Sequence, residues 1–241
     1  MHRYKLIDWI LSFFLILNTI NMNAQNNGEG EQPLNARQQS LAAISASTAA
    51  GNIEKLKIQL NVGLDAGLTI NEIKEALVQL YAYCGFPRSL NGISSFMQVL
   101  EERKKKGITD VAGKEATPLK DSLETYERGR KTLENLTQTP QAKPAPGFGE
   151  FAPRIDAFLK EHLFADIFDS DVLNYQQREL ITISALAAMH GTEGQLQAHI
   201  GMGMTTGITA DQVKAVFNII EKLVGKEQAE KANTVLSNIK K

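Results

Sequence analysis

Displaced by 140 residues, the chain repeats its own punctuation. Gly51, Leu56, Gly63, Gly67, Thr69, Lys74 and Gly85 recur as Gly191, Leu196, Gly203, Gly207, Thr209, Lys214 and Gly225. Four of the seven recurring residues are glycines at breaks in a helical pattern, and Thr69 and Thr209 each open the helix that follows. Shared breaks and caps mark an internal duplication of one architectural unit. Each unit alone leaves an apolar face uncovered, so the two are expected to share one core that includes Ile53, Leu56, Leu60, Ile181, Leu186 and Leu196.

The repeated unit is helical. In "NIEKLKIQLNVGLDAG", Ile53, Leu56, Leu60 and Leu64 fall on one helical face, and Gly67 closes the segment. The preceding alanine-rich stretch ends in Gly51, suited to a C-terminal cap. Thr69 with Glu72, and Thr209 with Gln212, have the spacing of capping boxes, and Pro153 suits a first helical turn. Period-2 alternation is nearly absent, so the fold class is all-α, a duplicated helical bundle. The expected organisation is a first unit at 35–108, a linker with one helix at 109–150, and a second unit at 151–241.

Residues 1–34 differ. "MHRYK" is a short basic start, Ile10 to Ile20 is an apolar run, and Ala24 precedes a polar stretch. This is the pattern of a signal peptide over 1–24, too short for a membrane span, followed by a disordered tail over 25–34. The expectation is an exported chain, periplasmic or secreted, with no membrane association after cleavage. A net charge of -1, with no excess of basic over acidic residues, argues against a nucleic-acid partner. Cys84 is the only cysteine, so no internal disulfide can form.

Two stretches carry a resemblance. "FADIFDSDVLNYQQRELITISALAAMHGTEGQLQAHIGMGMTTGITADQV" contains an Arg-Glu-Leu helix, a Leu-x-x-His helix and a glycine-threonine turn. "GLTINEIKEALVQLYAYCGFPRSLNG" contains an acidic helix ending in Tyr-x-Gly-x-Pro. Together they resemble the carboxymuconolactone decarboxylase family, whose relatives include the alkylhydroperoxidase D-like proteins. The resemblance implies an alkylhydroperoxidase D-like bundle, assembly into rings, and for a duplicated chain a homo-oligomer, a trimer that imitates a hexamer. It also implies a small-molecule substrate and no cofactor.

The candidate site residues follow from these motifs. His199 is the Leu-x-x-His histidine, a proton carrier if it meets substrate and a hydrogen-bonded core residue if it does not. Glu75 is the second acidic position of its helix, either catalytic or paired with Lys74, Lys55 or Arg88. Tyr83 and Arg88 flank Gly85 as substrate-binding candidates, Arg88 being able to hold a carboxylate or an ordinary ion pair. Cys84 is a possible redox thiol, but it lacks the resolving partner of a Cys-x-x-Cys peroxidase, and its expected role is packing. Arg178 is expected to pair with an acid across the bundle, and His190 to cap a helix C-terminus. The histidines have no metal-ligand spacing, so no metal is expected.

The halves have diverged reciprocally. Gln59 stands where the second unit has His199, and "EKLVGKEQ" stands where the first has Tyr-x-Gly-x-Pro. A complete site must therefore combine both. Three functions remain open: a cofactor-free enzyme using proton transfer on a small organic acid or lactone, a single-cysteine peroxidase with peroxiredoxin-type activity through Cys84, and a non-catalytic ligand-binding or scaffold oligomer.

Overall fold

In the computed structural model, residues 33–119 and 123–239 are described. The expected signal peptide and nearly all of the polar tail lie outside them. At the tail's expected end Leu34 is packed in the core, 1% exposed, and is not disordered.

The first unit contains α1 (Ala36–Ala50), α2 (Ile53–Asp65), α3 (Ile70–Gln79) and α4 (Tyr81–Lys105). The segment between units supplies α5 (Thr125–Thr137) and the short α6 (Phe148–Phe151), and the second unit opens with α7 (Pro153–Phe158), which runs into a π-helical stretch (Leu159–Ile167). The second unit contains α8 (Tyr175–Ala187), α9 (Glu193–Thr205), α10 (Ala210–Leu223) and α11 (Lys226–Asn238). No strand occurs among the described residues.

Local sequence sets the helix ends as expected. Thr69 accepts from the amide of Glu72 while the Glu72 side chain accepts from the Thr69 amide, and Thr209 with Gln212 does the same. Asn35 with Gln38 and Asn174 with Gln177 make the equivalent boxes at the starts of α1 and α8. Gly51 closes α1 in the left-handed region at φ 73°, a conformation costly for residues with a Cβ.

Residues Leu34 onward form one compact body. Its centre is α1 against α8, each buried on all sides: Ser40 to Ala49 in one, Arg178 to Ala187 in the other. Small residues permit this close approach. Their hydroxyls fold back onto the preceding turn, with Ser45 donating to Leu41, Thr48 to Ile44 and Ser184 to Leu180. Leu56, Leu60, Ile181, Leu186 and Leu196 join one core, with Ile53 half-buried against it. The two repeats therefore stabilise each other, as their apolar faces require.

The segment between units is anchored on both. Val111 and Ala112 carbonyls accept from the amides of Ile70 and Asn71, and Asp171 accepts from the Lys114 ammonium and from the Thr117 amide and hydroxyl. Further on, α5 packs on the π-helical stretch, the most extensive helix contact among the described residues. Gly129 permits it, because a Cβ there would lie 1.7 Å from the Lys160 carbonyl oxygen. Beside this crossing Lys160 is fully buried, donating to Asp156 at 2.8 and 3.0 Å, to Tyr126 at 2.9 Å and to the Ala142 carbonyl at 2.8 Å. Every donor of that ammonium is matched, the condition under which a buried charge is tolerated.

Candidate active site

Three helices meet at His199. Its Nδ1 lies 2.7 Å from Glu179 Oε2, joining α9 to α8. The Glu179 side chain has no exposure, whereas the imidazole keeps 8%, so the ring is the part of the pair that reaches solvent. With Glu179 ionised, the proton between them sits on Nδ1. Nε2 has no hydrogen-bond partner among the described residues and is left as the free acceptor.

Tyr83 comes to the same place from the first unit. Its ring meets the His199 ring edge-on, with centroids 5.4 Å apart. Its hydroxyl and Glu179 Oε1 are both buried, and Thr182, Glu179 and Arg178 are the polar groups around the phenol, with the Thr182 hydroxyl its hydrogen-bonding neighbour. Burial pushes the phenol pKa well above its ordinary value, and the Glu179 charge pushes it further. Tyr83 therefore stays protonated and able to donate. Buried polar atoms without a directed partner are rare in proteins, and one of them, Glu179 Oε1, belongs to the residues around His199.

A second polar network holds the two units in register here. Arg178, fully buried, donates to Glu75 at 2.9 Å, to Gln79 Oε1 at 2.9 Å and to the Ser170 carbonyl at 2.6 Å. Gln79 in turn donates to the Arg178 carbonyl and to the Thr182 hydroxyl, both at 2.9 Å. Burial lowers the Arg178 pKa and the Glu75 carboxylate opposes that. Glu75 is thus an ion-pair partner of Arg178, not of Lys74, Lys55 or Arg88. It reaches the His199 surroundings through Arg178 rather than directly.

Arg88 is placed elsewhere. Gly85, at φ 80° and ψ 159°, breaks α4 into two segments, and Pro87 starts the second without an amide to donate. Tyr83, before the break, faces His199. Arg88, after it, donates to the Ala49 carbonyl at the C-terminus of α1, where the helix dipole favours a cation. No contact among the described residues joins Arg88 to His199.

Cys84 is half-buried, packs against the main core, and donates its thiol to the Leu80 carbonyl at 3.2 Å. Burial raises its pKa, and the neighbouring Arg88 charge only partly offsets this. His190 does not cap a helix: its Nε2 accepts from the Gln228 side chain at 2.8 Å. Met202 packs with Leu133, Leu136, Leu163 and Phe168 in a smaller apolar cluster against which Tyr81 and Tyr83 also rest. Leu133 and Leu136 of α5, together with Leu163 and Phe168, therefore wall one side of the site. No group of three or more His, Cys, Asp or Glu side chains placed to hold a metal occurs among the described residues.

Sequence reasoning did not assign Glu179 or Thr182 to the site. The Arg-Glu-Leu motif held the signal for Glu179, but pairing it with a histidine 20 positions later requires knowing how α8 and α9 pack.

The class these features define is a duplicated helical bundle carrying a buried carboxylate–imidazole pair that meets an aromatic residue from the other repeat. Residues 19–95 and 153–237 match the carboxymuconolactone decarboxylase family, and the chain belongs to that family. No curated protein matches it.

Proposed function

We propose that this protein is a cofactor-free enzyme that moves a proton on a small organic acid or lactone, with one site per chain. The observation that carries the reading is the 2.7 Å Glu179–His199 bond beside the buried, neutral Tyr83 phenol. Glu179 orients the imidazole and stabilises its protonated form, and Nε2 takes a proton from substrate or returns one to it. Tyr83, locked in its neutral form, donates to the oxyanion that develops as a lactone opens or a carboxylate departs. Arg178, Glu75 and Gln79 are positioning residues that keep α3 and α4 against α8, and so keep Tyr83 over His199.

The thiol-based alternative has little support in the geometry. Cys84 lacks a second thiol, donates to a backbone carbonyl, and is held toward its protonated form. The same proposal places the protein outside the cytoplasm, on its N-terminal pattern, and in a homo-oligomer. Supporting self-association, Phe86, Leu90 and Met97 form a stripe on one face of α4, exposed by 62%, 55% and 66%.

The test is a turnover screen of lactones, β-keto acids and organic peroxides with the wild type and Cys84→Ala. Turnover of a lactone or keto acid by both proteins is expected. Peroxide turnover that disappears in Cys84→Ala, with the fold intact, would replace the proposal by the peroxidase reading.

A further inference from the structure

The duplication supplies a second place with the same plan as the His199 site. A Cβ on Gly203 would meet Ile183, Ile208 and Glu179, and one on Gly63 would meet Ile44, Leu68 and Ser40. Gly63 and Leu68 precede their counterparts by 140 residues, but Ile44 and Ser40 precede theirs by 139. The first helix of each repeat is thus offset by one residue from the spacing that follows it. In that register His199, Glu179, Arg178, Thr182, Tyr83 and Gln79 correspond to Gln59, Ser40, Gln39, Ala43, Leu223 and Ile219. All six of these counterparts line one cleft of about 330 Å³.

The chemistry of this cleft differs from that of its counterpart. The carboxylate and the imidazole have become a serine and a glutamine, so neither retains a group that titrates near neutrality. Ser40 spends its hydroxyl proton on the Ala36 carbonyl and Gln39 its amide on the Leu34 carbonyl. The Gln59 carboxamide and the Lys222 ammonium have no polar partner among the described residues, and no acidic side chain lines the cleft. Val62, Ile219 and Leu223 supply apolar walls.

We infer that this cleft is a binding site for a small carboxylic acid with an apolar body, held without chemistry. The ammonium of Lys222 takes the carboxylate, Gln59 donates its amide to it, and the hydrocarbon lies on Val62, Ile219 and Leu223. The inference does not depend on turnover at His199. The cleft keeps the residue positions of the His199 site and lacks its proton carriers.

Benzoate and benzamide are the probes, titrated into the full chain while the side-chain amide signals of Gln59 are followed by NMR. Benzoate should move those signals saturably, and benzamide should bind more weakly. Lys222→Gln should weaken benzoate about tenfold, the loss of one charge-assisted contact. Val62→Trp, which fills the mouth from an exposed position, should abolish binding, and His199→Gln should leave it unchanged. An absence of saturable shifts at Gln59, shifts that survive Val62→Trp, or binding lost in His199→Gln would each overturn the inference.

Discussion

Glu179 Oε2 stands 2.7 Å from His199 Nδ1, with the carboxylate wholly buried and the imidazole not. The arrangement fixes a tautomer. Long-range nitrogen–proton NMR of the wild type should show His199 protonated at Nδ1 with Nε2 bare. In Glu179→Gln that preference should weaken, because an amide can donate to Nδ1 as readily as accept from it. A wild-type spectrum showing the neutral ring protonated at Nε2 would remove Nε2 as the base.

The buried Lys160 ammonium depends on Asp156 and Tyr126. Lys160→Met strands a buried carboxylate and should cost roughly 3–5 kcal/mol of unfolding free energy. Burial works against the Asp156 charge, but hydrogen bonds from Lys160 and Tyr126 outweigh it and hold its pKa below the ordinary value. A depressed carboxylate stabilises the fold above its unfolded pKa of about 4, and that contribution is lost as pH falls through the lower folded value. Urea midpoints measured from pH 7 down to pH 3 should fall more for the wild type than for Asp156→Asn.

Two glycine substitutions should differ in sign. At Gly129 a methyl group would strike the Lys160 backbone, so Gly129→Ala should destabilise by about 1–3 kcal/mol or more. At Gly201, in α9, a Cβ meets nothing within 4 Å, and Gly201→Ala should stabilise by up to about 1 kcal/mol. Paired thermal melts decide the matter. Equal effects would mean that α5 does not cross the π-helical stretch at Gly129.

Cys84 should behave as a packed thiol. Burial raises its pKa, so alkylation by iodoacetamide should be slow at pH 7 and accelerate only above about pH 8.5, the ordinary thiol value. Cys84→Ala should keep the fold. Rapid alkylation at pH 7 would indicate an activated thiolate and reopen the peroxidase reading.

Much of the fold was legible because its signals are local. Thr69 with Glu72 and Thr209 with Gln212 announce helix starts within four residues, and Gly51 announces an end. The shared core followed from apolar faces that neither repeat could cover alone. The site was legible only in part. His199 and Tyr83 stood out by type and position, and the reciprocal losses required them to meet. Glu179 as partner, Arg178 as the ion pair of Glu75, and the one-residue offset of α1 against α8 depend on helix packing between segments far apart in sequence. Arg88 was misleading for a specific reason. A left-handed Gly85 turns the chain between Tyr83 and Arg88, sending one to His199 and the other to the end of α1. The π-helical stretch left no sequence signal, since its apolar residues also fit an α-helix.

The central claim is that His199, oriented by Glu179, carries the proton in one site per chain. The direct measurement is kcat/KM on whichever lactone or keto acid the wild type turns over, compared with His199→Asn and Glu179→Gln, with circular dichroism as the check on fold. His199→Asn should lose about 10²- to 10⁴-fold, the usual contribution of a positioned general acid–base group, and Glu179→Gln should show a substantial loss. Folded variants that turn over substrate at the wild-type rate would contradict the claim.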